Sequence, residues 1–273
     1  MIALSVNLNK IALIRNSRDT TNPSVTEHAR MAVAAGADGI TVHPRPDQRH
    51  IRADDCKALA PVIAGMTHPG GGPIEFNIEG NPFAPARASD RAGIGDYPGF
   101  LPLIELLRPD QCTLVPDGDA QLTSDHGFDL MADGERLAPI IEQLKGWGVR
   151  VSLFMDPNPE QIALAAQLGA DRIELYTETY AAACKKSSNV DAVFQQFFDA
   201  AAAATDVGLG INAGHDLDLN NLPRFASIPG VLEVSIGHAL TVDAIRLGFA
   251  NAIAAYQAAL RGETTSHNIT PPC

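Results

Sequence analysis

Eight short runs rich in β-branched and apolar residues recur along the 273-residue chain, with helix-like stretches between them. The runs are IALSVNLN, GITVHP, IEFNIE, QCTLVP, RVSLFMDP, RIELYT, GLGINAGH and VLEVSIGHA. Between them lie PSVTEHARMAVAAGA, RLAPIIEQLKGWG, PEQIALAAQLGA and AIRLGFANAIAAYQAALRG, whose apolar spacing or composition suits helices. Strands that alternate with helices pair in parallel through crossovers. Two junctions, AVAAGADGITVHP and LAAQLGADRIELYT, are near copies, with Gly36 and Gly169 suited to left-handed helix ends. Eight such units without a dividing linker predict one closed (β/α)8 barrel over residues 1–262, followed by a disordered tail over 263–273. A dinucleotide-binding sheet is disfavoured, because no G-x-G-x-x-G follows the first strand.

Two segments interrupt the rhythm. THPGGGP (67–73) precedes the third strand, on the stability face of a barrel, whereas GNPFAPARASDRAGIGDYPGF (80–100) follows it and is expected to lie over the active face. The net charge of −12 disfavours a nucleic-acid groove or an anionic membrane surface, since either needs a broad basic face. No apolar run approaches the ~20 residues that span a bilayer, and MIALSVNLNKIALIRNSR lacks the pattern of a signal peptide. The expected compartment is the cytoplasm. Cys56, Cys112, Cys184 and Cys273 have no metal-ligand or redox spacing, so reduced thiols are expected.

Reactive groups in such a barrel come from the C-terminal strand ends. Read this way, strand one supplies Asn7, Asn9 and Lys10, followed by Arg15 and Arg18; strand two supplies His43, Arg45 and His50. Strand three supplies Glu79, the loop after strand four Thr123 to His126, strand six Glu174 and Thr177, strand seven His215, and strand eight Gly237 and His238. A lone strand-end histidine is usually structural, but His43, Glu79 and His215 at three ends make an acid/base set. Glu75, Asn77 and Glu79 share the inward face of strand three; Glu79 is the candidate base and Glu75 the member of an internal polar network. Prolines flank Arg45 in HPRP and hold its anion-binding fork near the strand tip. The AGH and IGH turns expose backbone N–H groups where barrels often hold phosphate. Two separate anion sites result, which suits two phosphorylated substrates. Arg49 and Arg52 read as surface charge. His43, His215 and His238 are competent metal ligands, but only Glu79 is an obvious added carboxylate and no metal is expected. A one-phosphate isomerase or a catalytically silent barrel stays open on these residues alone.

The segments SVNLNKIALIRNSR, GADGITVHPRPDQRHI, EFNIEG, TLVPD with TSDHG, VSLFMD, RIELYT, NAGHDL and SIGHA together resemble the pyridoxine 5'-phosphate synthase family, in collinear order over essentially the whole chain. The resemblance implies a homo-octameric (β/α)8 barrel without cofactor or metal. It implies condensation of 1-deoxy-D-xylulose 5-phosphate with 3-amino-2-oxopropyl phosphate to pyridoxine 5'-phosphate, with loss of phosphate and water. It further implies that His43 and Glu79 are general bases and His215 a general acid. Asn9, Lys10, Arg45, His50 and Thr123 would hold the xylulose phosphate, and Asn7, Arg18, Asp216, Gly237 and His238 the amino ketone phosphate. Many relatives have N-I-D-H where this chain has Asn7-Leu8-Asn9-Lys10, and glycine where it has Asp216. Helix N-capping is the expected task of the Asp216 carboxylate.

Overall fold

Residues along each strand alternate between two destinations, the barrel interior and the surrounding layer of helices. The computed structural model describes residues 1–18, 20–118 and 121–263. Parallel strands β1 (Ala3–Asn7), β2 (Gly39–Val42), β3 (Glu75–Gly80), β4 (Gln111–Leu114), β5 (Arg150–Met155), β6 (Arg172–Tyr176), β7 (Gly210–Gly214) and β8 (Val231–Ile236) pair in chain order. Pairing of β8 with β1 completes the barrel. The crossovers carry α1 (Asn9–Asn16) and α2 (Val25–Ala34) after β1, α3 (Ala53–Ala64) after β2, and α4 (Phe100–Leu107) after β3. Next come α5 (Leu130–Gly146), α6 (Pro159–Gln167), α7 (Glu178–Lys186) with α8 (Val190–Asp206), and α9 (Leu222–Phe225). After β8 the chain forms α10 (His238–Leu247) and α11 (Phe249–Leu260). The expected barrel is therefore observed. The tail expected from residue 263 lies, apart from Glu263, outside the described residues.

Leu4, Val6, Ile40, Val42, Ile78, Leu153 and Ile236 are fully buried strand aliphatics, each stabilising the fold by about 2 kcal/mol. The alternate positions carry a polar ladder. Ser5 Oγ lies 2.7 Å from Thr41 Oγ1, Asn77 donates to Thr41 at 3.3 Å, and Thr113 donates to Asn77 at 3.2 Å. At the opposite end from the strand tips Arg150 pairs with Glu75, and Arg172 pairs with Glu233 at 3.1 Å. Glu75 thus joins the internal network expected of it.

Local chemistry punctuates the units. Ser24 Oγ accepts from Glu27 N–H at 3.2 Å to start α2, and Asn158 does the same for Glu160 at 2.9 Å, with Pro159 in the first turn of α6. Gly36 and Gly169 end α2 and α6 at φ of +96° and +85°, as their near-identical junctions predicted. Cys56, Cys112 and Cys184 are buried free thiols; Cys273 lies outside the described residues. Among the described residues no helix is long and apolar enough to cross a membrane.

Candidate active site

Barrel closure brings the strand tips together, and α1 turns sharply off β1. Asn7 Oδ1 accepts the Asn9 backbone N–H at 3.0 Å, so Asn9 and Lys10 open a helix instead of extending the strand as the sequence suggested. Asn9 Oδ1 in turn accepts the backbone N–H of His43 at 2.9 Å, joining β1 to the tip of β2. Asn7 also donates to Glu79 Oε2 at 3.4 Å. From the far end of α1, Asn16 Nδ2 reaches the carbonyls of Gln48, Arg49 and His50 at 3.4, 3.0 and 2.7 Å. Arg15 is buried, bonded to the His50 carbonyl at 3.3 Å and paired with Asp55 of α3. This scaffold holds the HPRPDQRH turn, in which Gln48 takes a left-handed φ of +50°.

His43 stands between two carboxylates. Its Nδ1 is 3.8 Å from Glu79 Oε2, and its Nε2 is 3.6 Å from Asp117 Oδ2. Burial, reinforced by Arg45, His215 and Arg49, pushes His43 well below the usual histidine range. Burial raises Glu79 well above the usual carboxylate range, with Glu174, Asp117 and Glu233 adding repulsion. The pair is therefore a neutral imidazole facing a carboxyl that holds its proton to unusually high pH. His50 lies beyond, its ring centroid 6.3 Å from that of His43. Its Nδ1 accepts from Ile51 N–H at 2.9 Å, so the neutral ring carries its proton on Nε2.

Arg45 is buried and already faces an internal anion. It pairs with Asp117 and donates to the Gln121 carbonyl at 2.9 Å. Arg49, read from sequence as surface charge, donates to the same carbonyl at 2.8 Å and to Leu122 at 3.3 Å, braced by Asp47 at 2.6 Å. The two arginines clasp the loop after β4. Asp117, buried and also bonded by Ser124 at 2.9 Å, is the central group that sequence reasoning missed. Its one signal was an acid directly after the LVP that ends the fourth run. A cavity of about 210 Å³ lies here, lined by His43, Arg45, Asp117 and, from the start of the 80–100 segment, Asn81 and Phe83. The rest of that segment is pinned by reciprocal Arg87–Tyr97 backbone bonds of 2.9 Å and by Gln48 on the Gly95 carbonyl.

His215 takes a φ of +78°, a conformation unusual for a residue with a Cβ. It follows Gly214, where a Cβ would fall 2.6 Å from Glu174 Oε1 and 2.9 Å from the Ser235 carbonyl. The His215 ring packs 5.0 Å from Phe154 and 5.9 Å from Tyr176, with Nδ1 4.0 Å from Glu174 Oε1. Burial lowers His215 to about 4, although Asp117 opposes the shift; Arg45 and Lys10 add to it. Burial raises Glu174 to about 7. Lys10 also depresses His50, so its charge bears on both histidines.

Asp216 does not cap a helix. Asp218 instead accepts the N–H groups of Asn220 and Asn221 at 2.8 and 2.9 Å, while partial desolvation and Glu178 raise the exposed Asp216 carboxyl. Gly237 precedes α10, whose first residue is His238, and a Cβ at Gly237 would meet Asn7 at 3.1 Å. The N–H groups of that helix start are suited to an anion. His215, Asp216 and His238 line a cavity of about 790 Å³ that extends to Lys185 and Asn220. Arg18 and Thr123 are exposed, and no hydrogen bond among the described residues joins either side chain to His43, Glu79 or His215.

Residues 4–262 match a protein family described as pyridoxal phosphate biosynthesis protein PdxJ. The chain is 56% identical over 259 residues to pyridoxine 5'-phosphate synthase of Xanthomonas axonopodis pv. citri, covering 94% of this chain and 96% of that one. It is 52% identical to the protein of the same name from Xylella fastidiosa, covering 93% and 92%. Among solved structures, tryptophan synthase from M. tuberculosis superposes with a TM-score of 0.58 at 14% identity, covering 96% and 92% of the two chains. Thiamine phosphate pyrophosphorylase from Pyrococcus furiosus gives 0.57 at 11% identity, covering 95% of each. These two likenesses concern the fold alone.

Proposed function

Because the chain belongs to the PdxJ family of pyridoxal phosphate biosynthesis proteins, we propose that it condenses 1-deoxy-D-xylulose 5-phosphate with 3-amino-2-oxopropyl phosphate to pyridoxine 5'-phosphate, phosphate and water. The observation that carries this reading is the buried Glu79–His43 pair between two anion-competent regions, the Arg45 turn and the start of α10. The amine of one substrate attacks the ketone of the other to form an imine with loss of water. Glu79 and His43 then remove carbon-bound protons, a task for which a carboxyl of raised proton affinity is suited. His215 returns protons to departing oxygens. Its low proton affinity in the unliganded site rises when a phosphate dianion enters nearby, so the acid is armed by substrate.

Arg45 and His50 hold the xylulose phosphate, helped by Asn9, Lys10 and Thr123; the phosphate takes over Arg45 from the Gln121 carbonyl. Asn7, Gly237 and His238, with Arg18 and Asp216, hold the amino ketone phosphate. The working assembly is a cytoplasmic homo-octamer. Exposed Leu13 and Ile14 on α1 and Val242 and Ile245 on α10 support burial against further copies. The test is to supply purified protein with both substrates and follow pyridoxine 5'-phosphate and free phosphate. Product that requires both substrates upholds the reading; no product, or turnover of one sugar phosphate alone, refutes it.

A further inference from the structure

Asp117 sits where two chemistries meet. It lies three residues past β4, with only 7% of its surface exposed. One oxygen, Oδ2, pairs with Arg45, accepts from Ser124 Oγ at 2.9 Å and faces His43 Nε2 at 3.6 Å. Asn81 Nδ2 fixes its backbone through the Asp117 carbonyl at 2.7 Å, so the carboxylate is held by β3 and β2 neighbours as well as by its own loop. On the other side of the same imidazole, Nδ1 faces Glu79 Oε2 at 3.8 Å. The charged and titratable groups around the His43 ring are Arg45, Asp47, Arg49 and His50 from its own segment, Glu79 from β3, Asp117 from the β4 loop and His215 from β7.

We propose that Asp117 is a positioning residue that fixes His43 as the Nε2–H tautomer and leaves Nδ1 as the basic nitrogen facing Glu79. The two carboxyl groups have different partners, and this decides the tautomer. Asp117 meets a guanidinium and a hydroxyl donor, both matched to the ionised form, and so accepts from Nε2–H. Among the described residues Glu79 has no cation bonded to it and an Asn7 amide at 3.4 Å, and as an acid it donates toward Nδ1. Both ring separations are ion-pair distances that tighten to hydrogen bonds as the site closes on substrate. The proton balance is simple. Glu79 passes its resting proton to His43 Nδ1 and becomes the carboxylate that captures the substrate's proton, while the imidazolium keeps Nε2–H against Asp117. The nitrogen needed for relay is then always the one that faces Glu79.

The inference rests on the proposed synthase reaction for its kinetic arm only. In 15N-histidine-labelled protein, with the His43 signals assigned by comparison with H43N, the neutral ring is expected as Nε2–H. An Nδ1–H tautomer in the unmodified protein overturns the proposal, whether or not any variant folds. Asp117→Asn presents an amide donor to Nε2 and is expected to invert the tautomer, as in other orienting carboxylates. In that variant kcat falls by roughly tenfold or more, with KM for the xylulose phosphate changed by less than about threefold. A change in KM alone, or an unaltered tautomer in folded D117N, contradicts the assignment. Since the spectrum needs no turnover, a protein that makes no pyridoxine 5'-phosphate yet shows Nε2–H fails the functional reading and not this one.

Discussion

At the residue scale, the site is organised by groups whose burial is tolerated only through their partners. Arg45→Ala removes the cation from a buried Asp117, and such a break costs about 3–5 kcal/mol of stability. Chemical unfolding of R45A is expected to register that loss, and xylulose phosphate binding to weaken by roughly tenfold or more as the anion fork disappears. Arg45 was legible because HPRP is a local pattern. Asp117 was not, because its partners Arg45 and Asn81 lie far away in sequence and only barrel closure brings them together. Arg49 was misread for a second reason: its targets are backbone carbonyls, which leave no trace in side-chain identity.

At the scale of elements, strand and helix periodicity located every strand of the barrel, and the glycine ends of α2 and α6 fell where their repeated junctions implied. The boundary between β1 and α1 was misplaced, since Asn7 ends the strand through its own amide and no apolar periodicity records that turn. The β7 tip is a tightly constrained element end. Gly214→Ala would drive a methyl toward Glu174 and the Ser235 carbonyl, an overpacking worth about 1–3 kcal/mol. It also moves His215 off its strained φ. The expected result is a kcat reduced by roughly 10²-fold in a protein that still folds, checked by turnover beside a thermal melt.

At the scale of the whole molecule, shifted acids and histidines pull stability in opposite directions with pH. Glu174, raised to about 7, gives the folded chain extra protons between the usual carboxylate range and neutrality, so its contribution is full in acid and lost as pH rises through that window. His215, lowered to about 4, acts in reverse: the unfolded chain binds more protons below the usual histidine range, and stability is lost as pH falls. Each effect is worth about 3 kcal/mol. Glu174→Gln removes the first, so the stability of the variant relative to the parent should improve by up to about 3 kcal/mol between pH 4.5 and 8, read from urea midpoints.

In the proposed reaction, protons are transferred from substrate to a base buried at the third strand tip. Glu79→Gln keeps the shape and the Asn7 contact but removes the base. Turnover with both substrates is the direct measurement: kcat is predicted to drop by roughly 10²-fold or more, with a melting temperature equal to or above that of the parent. Turnover within about threefold of the parent would contradict the account.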